Sequence, residues 1–198
     1  MRKFLFVFFF LAQNAYSSFS FSLPELGVLS FQRYILVGTV LNRQLRNRDM
    51  RALQSHWVHN LDLGLQLLPR VERERVYRAE KREQDFLSSL SPGGILEHEG
   101  YVSTSSNPDW YRIAGASPNV LYVIKERSGK RITQFAPPCD FYDYGSEQEI
   151  LIPRLSRFKI LSIDTSEPIL KVFMEELEDP AKDTISDREF RPLEDMFF

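Results

Sequence analysis

The chain changes texture near residue 70, and that change limits what it can fold into. From Phe31 to Leu45, the apolar residues Tyr34, Ile35, Val37, Val40, Leu41 and Leu45 recur at three- and four-residue steps, the spacing of an amphipathic helix. A second helical pattern covers Met50 to Leu68 and stops at Pro69. Beyond it, β-branched and aromatic residues come in short runs bounded by Gly, Pro, Ser and Asp, which is the texture of strands. The predicted strands are Arg75 to Glu80, Gly100 to Ser103, Val120 to Glu126, Lys130 to Phe135, Glu149 to Pro153, Arg157 to Asp164 and Ile169 to Glu178. Ser128 and Gly129, between two of these, predict a hairpin turn. Helices that precede the strands rather than alternate with them make an α+β protein. A length of 198 residues with 43% hydrophobic content suffices for one domain with its own core.

The two ends stand apart from that domain. Residues 1–17 carry a positive start at Arg2 and Lys3, an apolar run from Phe4 to Ala12, and small residues at Ala15 and Ser17. This is the layout of a secretory signal peptide cleaved after Ser17, with a buried N-terminal helix as the alternative reading. The apolar run is shorter than the roughly 20 residues of a membrane span, so no stable membrane insertion follows cleavage. Residues 179–198 mix charge with little periodicity and read as a C-terminal tail, ordered by docking of Met196, Phe197 and Phe198. The domain between them is residues 18–178.

Several function classes find no support. A net charge of -2 gives no general basic field, so composition does not indicate nucleic acid as a partner. The basic stretch Arg43, Arg46, Arg48 and Arg51 is interrupted by Asp49 and reads as a solvated face. His56 and His59 stand at i and i+3 without a third ligand, so no metal is expected. Cys139, the single cysteine, sits in a Pro137-Pro138-Cys139 turn, can form no disulfide within the chain and has no histidine after it.

Three separated segments carry chemistry. In the strand around Val76 and Tyr77, alternation puts Arg78 on the side of Val76, so its guanidinium points either inward to a cleft, where a phosphate or carboxylate suits it, or outward from an edge. In GYVSTSSNPDW, an apolar strand ends in Ser103, Thr104, Ser105 and Ser106, whose hydroxyls can bond backbone or orient a carboxylate. In GSEQEILIP, Glu147 and Glu149 flank Gln148 where a buried strand begins; if the backbone is extended there, both carboxylates face one region at an electrostatic cost.

Taken in this order, VYR, GYVSTS and EQEILIP resemble the R-S-E motif set of the mono-ADP-ribosyltransferases, a family of bacterial toxins and animal ecto-enzymes. The joining stretches PGGILEHEGYVSTS and SEQEILIPRLSRFKILSI are similar to that family as well, and the resemblance spans residues 73–178. It implies two small antiparallel sheets after the N-terminal helices, with NAD as the substrate bound in the cleft between them. Arg78 would contact the phosphate and ribose portion of NAD. Ser103 would hold the catalytic Glu149, with Thr104 and Ser105 stiffening the nicotinamide pocket. Glu149 would stabilise the ribosyl cation as nicotinamide leaves, and Glu147 would hold or deprotonate the acceptor.

A glutamate two positions before the catalytic one goes in this family with arginine acceptors, which implies transfer of ADP-ribose to arginine of a target protein. NAD glycohydrolysis and a non-catalytic binding module on the same fold are the rival readings. Residues 136–146, with Phe141, Tyr142 and Tyr144, fall where the family carries its recognition loop. Those aromatics either meet a partner or fold under the loop. The chain departs from many relatives in having Ala79 where they have glycine. It also lacks the cysteine pairs of the ecto-enzymes, which favours a secreted bacterial toxin or effector, extracellular or delivered into a host cell. No separate delivery domain is visible.

Overall fold

A computed structural model describes residues 23–71, 75–113, 117–137 and 148–178. The signal-peptide and tail segments, Cys139, Phe141, Tyr142, Tyr144 and Glu147 fall outside the described residues.

The first helical pattern forms α1, Glu25–Arg46, which is interrupted at Val37 by a non-helical backbone. Its buried side carries Phe31, Tyr34, Leu41 and Leu45. The second pattern forms two helices instead of one, α2 (Met50–Leu53) and α3 (His56–Leu67). The break has a local cause. Asp49 accepts a side-chain bond from the N–H of Arg51, and Ser55, in an extended conformation, accepts one from Val58, so each helix has its own N-cap. Two short helices not expected from the sequence follow later, α4 (Gln84–Ser89) and α5 (Trp110–Ile113).

Among the described residues the strands are β1 (Val76–Glu80), β2 (Ile95–His98), β3 (Val102–Ser105), β4 (Val120–Lys125), β5 (Lys130–Arg131), β6 (Glu149–Ile152), β7 (Ser156–Asp164) and β8 (Leu170–Glu176). They form one eight-stranded sheet in the order β2-β7-β8-β4-β1-β3-β6-β5, antiparallel except for the parallel pair of β4 and β8. The two small sheets of the sequence reading are the two halves of this sheet. β1 pairs with β4 over five residues but with β3 only through Tyr77 opposite Ser105, so a single bridge joins the halves.

The halves pack face to face. One buried cluster draws Val76 from β1, Val102 from β3, Tyr122 from β4, Ile150 from β6, Phe158 from β7 and Val172 from β8. A second cluster joins the helices to the outer face of β3 and β6 through Phe31, Tyr34, Leu61, Tyr101 and Leu151. Strand alternation divides the labour: Ile150 and Ile152 face the inner core, and Leu151 faces the helices. Full burial of each such side chain is worth about 1.5–3 kcal/mol, which fixes the register because a one-residue slip would expose the whole set.

Two expectations shift. The strand predicted from Lys130 to Phe135 stops at Arg131 and continues as a 3-10 turn, Thr133–Phe135. β2 went unrecognised because it alternates exposed and half-buried positions and includes charged Glu97, a pattern with little apolar signal.

Candidate active site

The site is built where the two halves of the sheet meet under α1. Glu149 is the first residue of β6, buried, and directly opposite Ser105 of β3. Directly paired residues share a side, so Tyr101, Ser103, Ser105, Glu149 and Leu151 all project toward the helices. That places Ser103 one diagonal step from Glu149, and Ser103 Oγ donates to Glu149 Oε1 at 2.6 Å. Thr104 points the other way and donates through Oγ1 to the carbonyl of Ile150 at 2.6 Å, locking β3 to β6 from the inner side. Ser105 Oγ accepts from the N–H of Asn107 at 2.9 Å and shapes the turn that ends β3.

Arg78 arrives from β1. Its Nη1 donates to the carbonyl oxygen of Ser103 at 2.7 Å, while Nε and Nη2 lie 2.6 Å and 2.5 Å from Glu80 Oε1. Arg78, Ser103 and Glu149 therefore form one continuous run of contacts, although they are 71 residues apart at the extremes (149 − 78). Of the sequence-predicted site residues, Arg78, Ser103, Thr104, Ser105 and Glu149 are gathered at this seam, and Glu147 lies outside the described residues.

The expectation that Glu147 and Glu149 face one side assumed an extended backbone. Gln148 has φ +48°, in the left-handed region, so strand alternation begins at Glu149 and does not carry back across Gln148.

Sequence reasoning missed several neighbours. Glu80 Oε2 accepts from Arg82 Nε at 2.5 Å, so one carboxylate bridges two guanidinium groups. Burial would raise the Glu80 pKa, but Arg78 and Arg82 outweigh it and hold the group below its ordinary range. Arg46 at the end of α1 is electrostatically coupled to the same cluster: burial lowers its pKa first, and the charges of Arg78 and Arg82 lower it further. The basic stretch is a solvated face, with Arg43, Arg46, Arg48 and Arg51 all exposed; Arg46 stands within electrostatic reach of the cluster, while Arg48 pairs with Glu99 at 2.7 Å. His98 of β2 is pushed down to about 4, by burial first and by Arg78 next, and packs edge-on against Phe158 with ring centroids 6.0 Å apart.

The helix contributes a row at four-residue spacing: Tyr34, Gly38, Asn42 and Arg46. Asn42 Nδ2 donates to the hydroxyl of Tyr34 at 2.8 Å, and Asn42 Oδ1 accepts from the N–H of Tyr101 at 2.8 Å, which ties α1 to the chain entering β3. Burial, and then the charge of Glu149, raises the Tyr34 pKa, so the phenol stays protonated beside the carboxylate. A Cβ at Gly38 would stand 2.9 Å from the Tyr34 ring, and one at Gly100 would stand 2.7 Å from Asn42 Oδ1. Both approaches need glycine. The signal was present in the sequence as polar Asn42 and Arg46 lying on the apolar ridge begun by Tyr34.

A second tie holds the layer from the far end. Tyr101 donates to Asp62 at 2.6 Å, and Arg154, just after β6, grips the other oxygen of Asp62 with Nε at 2.8 Å and Nη2 at 2.7 Å. The site so formed has two arginines bridged by one glutamate on one side and a buried, oriented carboxylate on the other. Such an arrangement suits a ligand that is anionic in one part and develops positive charge in another.

The described residues contain no helix long and apolar enough to cross a membrane and no group of three or more His, Cys, Asp or Glu that could hold a metal ion.

Comparison with known proteins gives the family and the fold. The family model described as ADP-ribosyltransferase exoenzyme matches residues 30–178. Among solved structures, the chain is similar to the ADP-ribosyltransferase Vis of Vibrio splendidus in complex with agmatine, with 20% identity, TM-score 0.67, and 88% of this chain and 85% of that one covered. It is also similar to exoenzyme S of Pseudomonas aeruginosa, solved with human 14-3-3 protein beta and carba-NAD (18%, TM-score 0.62, 88% and 84% covered). The Clostridium limosum C3 exoenzyme matches at 13% identity with TM-score 0.62, covering 88% and 95%. At these identities the likeness is one of fold. No curated protein sequence matches.

Proposed function

Because the chain belongs to the ADP-ribosyltransferase exoenzyme family, we propose that it transfers ADP-ribose from NAD to arginine of a target protein and releases nicotinamide. The observation that supports this above all is the unbroken contact run Arg78, Ser103, Glu149, which sets a fixed anion beside a pair of guanidinium groups bridged by Glu80.

In this reading Arg78, aided by Arg46 and Arg82, holds the phosphates of NAD, since a guanidinium fork matches phosphate oxygens. Ser103 orients Glu149, and Thr104 and Ser105 keep the strand end beside the nicotinamide rigid. As the bond between ribose and nicotinamide breaks, its electron pair leaves on the nicotinamide nitrogen and positive charge gathers on the sugar. A carboxylate already oriented toward that charge stabilises the transition state more than the ground state. An acceptor nitrogen then bonds the sugar carbon and loses a proton, for which Glu147 is the proposed base.

A guanidino acceptor is supported by the glutamate at position 147 and by the complex of Vis with agmatine, itself a guanidino compound. The pattern of residues 1–17 supports export, with residues 18–178 as the catalytic domain.

Incubating the chain with labelled NAD and agmatine, beside a Glu149→Ala control, tests the proposal. Nicotinamide release and labelled agmatine from the wild type alone are expected; equal signal from the control, or none from either, would overturn it.

A further inference from the structure

Three non-glycine residues among those described have positive φ: Arg48, Gln148 and Leu155. Only Gln148 adjoins the proposed catalytic carboxylate. An L-residue avoids this conformation unless the surroundings hold it there. The holding groups both come from Ser106, which is buried and stands just past the last β3–β6 pair, Ser105 opposite Glu149. The N–H of Ser106 donates to the carbonyl of Gln148 at 3.3 Å, and Ser106 Oγ donates to Gln148 Oε1 at 2.6 Å. Main chain and side chain of one residue thus clamp main chain and side chain of the other.

The clamp completes a frame around Glu149. Beyond it, the carbonyl of Glu149 accepts from the N–H of Ile132 at 3.1 Å and from Thr133 Oγ1 at 3.2 Å. At its tip the carboxylate accepts from Ser103. Before it, the peptide joining Gln148 to Glu149 is fixed by Ser106. Without the side-chain bond, only the longer main-chain bond at 3.3 Å offsets the left-handed conformation of Gln148. The strand then frays from its first residue, which is Glu149 itself.

We propose that Ser106 and Gln148 are a pair of positioning residues that hold the backbone before Glu149 in its left-handed turn and so keep the carboxylate aligned for the departing nicotinamide. The proposal rests on the function argued above. Neither residue touches the reacting bond in this scheme, and neither belongs to the arginine cluster, so their loss acts on the chemical step and leaves NAD binding intact. Four β3–β6 pairs and the Thr104 bond remain in place without them, so the fold survives.

The test is a double-mutant cycle with Ser106→Ala and Gln148→Ala, read as nicotinamide release and as Tm. Each single variant should lower kcat about 10-fold, with KM for NAD within about twofold of wild type and Tm lowered by roughly 2–4 °C. The double variant should be no worse than either single in kcat and in Tm, because each change breaks the same bond. Additive losses, an effect confined to KM, or an unchanged kcat in Ser106→Ala would each overturn the clamp. A wild-type chain that releases no nicotinamide overturns the catalytic role together with the function it rests on, and non-additive Tm shifts then mark the failure as one of function and not of the clamp.

Discussion

Glu80→Gln tests whether the arginine cluster is organised by its bridging carboxylate. Glu80 is 13% exposed and accepts from Arg78 and Arg82, which are 17% and 32% exposed. Hydrogen bonds to charged groups contribute about 1.5–3 kcal/mol each, and removing one partner of a fully buried ion pair costs about 3–5 kcal/mol. Two facts reduce that cost: Gln keeps one acceptor oxygen, and Arg82 is a third exposed and therefore screened. A loss of about 2 kcal/mol remains, which for a domain of this size lowers Tm by about 4–8 °C.

The effect on NAD binding is a contest. Removing a negative charge favours phosphate binding, but at a solvated cleft in physiological salt that gain is about 1 kcal/mol or less. Against it, the one remaining acceptor oxygen cannot serve both guanidinium groups and the amide nitrogen of Gln repels the other, so the arginine cluster loosens and must be reordered by the ligand, at up to about 2 kcal/mol of side-chain entropy. Ordering wins, so KM for NAD should rise about fivefold with kcat little changed. Because Arg78 and Arg82 hold the Glu80 pKa low, its stabilisation is fully present above the ordinary carboxyl value of 4.5 and is lost as pH falls from there through the lowered value. The Tm difference between wild type and variant, measured at pH 7 and pH 4, should shrink at the lower pH. A Tm within 1 °C of wild type at pH 7, or a lower KM, would refute the idea that Glu80 positions Arg78.

Ser103→Ala removes the 2.6 Å bond to Glu149 and should lower kcat for nicotinamide release about 10- to 100-fold, measured at saturating NAD. Glu147→Gln should abolish transfer to agmatine while hydrolysis of NAD continues, and equal loss of both would remove the acceptor role from Glu147. Glu126, next to the β4–β5 turn, is raised to about 7 by burial first and by Glu176, against the opposing bond from Gly129 N–H. A raised carboxyl stabilises the fold below its unfolded value and loses that contribution as pH climbs, so stability should fall by about 1–2 kcal/mol between pH 4.5 and 7. Glu126→Gln should flatten that slope in urea melts taken across the range.

Much of this architecture is legible in the sequence because burial on one or both sides leaves a plain pattern. The runs that became β4, β6, β7 and β8 are core strands whose apolar residues are continuous or largely alternate, and the ridge of α1 repeats at three and four. The motif residues Arg78, Ser103 and Glu149 stand out only through the resemblance of VYR, GYVSTS and EQEILIP, in that order, to the R-S-E motif set; Glu149 opens its strand, whereas Arg78 and Ser103 lie within theirs. What escaped the sequence has a common character. The caps at Asp49 and Ser55 act over two or three residues and broke one predicted helix into two. Glu80, Arg82, Asn42 and His98 acquire a role only through contacts between distant segments, and in sequence each is one more polar residue among many. The left-handed turn at Gln148 is the sharpest case. Nothing in EQE distinguishes it from an extended stretch, because the residue that holds it, Ser106, lies 42 positions away.

The position of the site follows from the one weak joint in the sheet. Among the described residues β1 and β3 share only the Tyr77–Ser105 bridge. Arg78 adds a side-chain link across this joint by donating to the carbonyl of Ser103. The same guanidinium that knits the two halves therefore stands beside the serine that holds Glu149. A continuous ladder at this point would satisfy the carbonyl of Ser103 from the backbone and leave Arg78 without that acceptor. The single bridge with an arginine clasp therefore brings residues of three separated strands to one place.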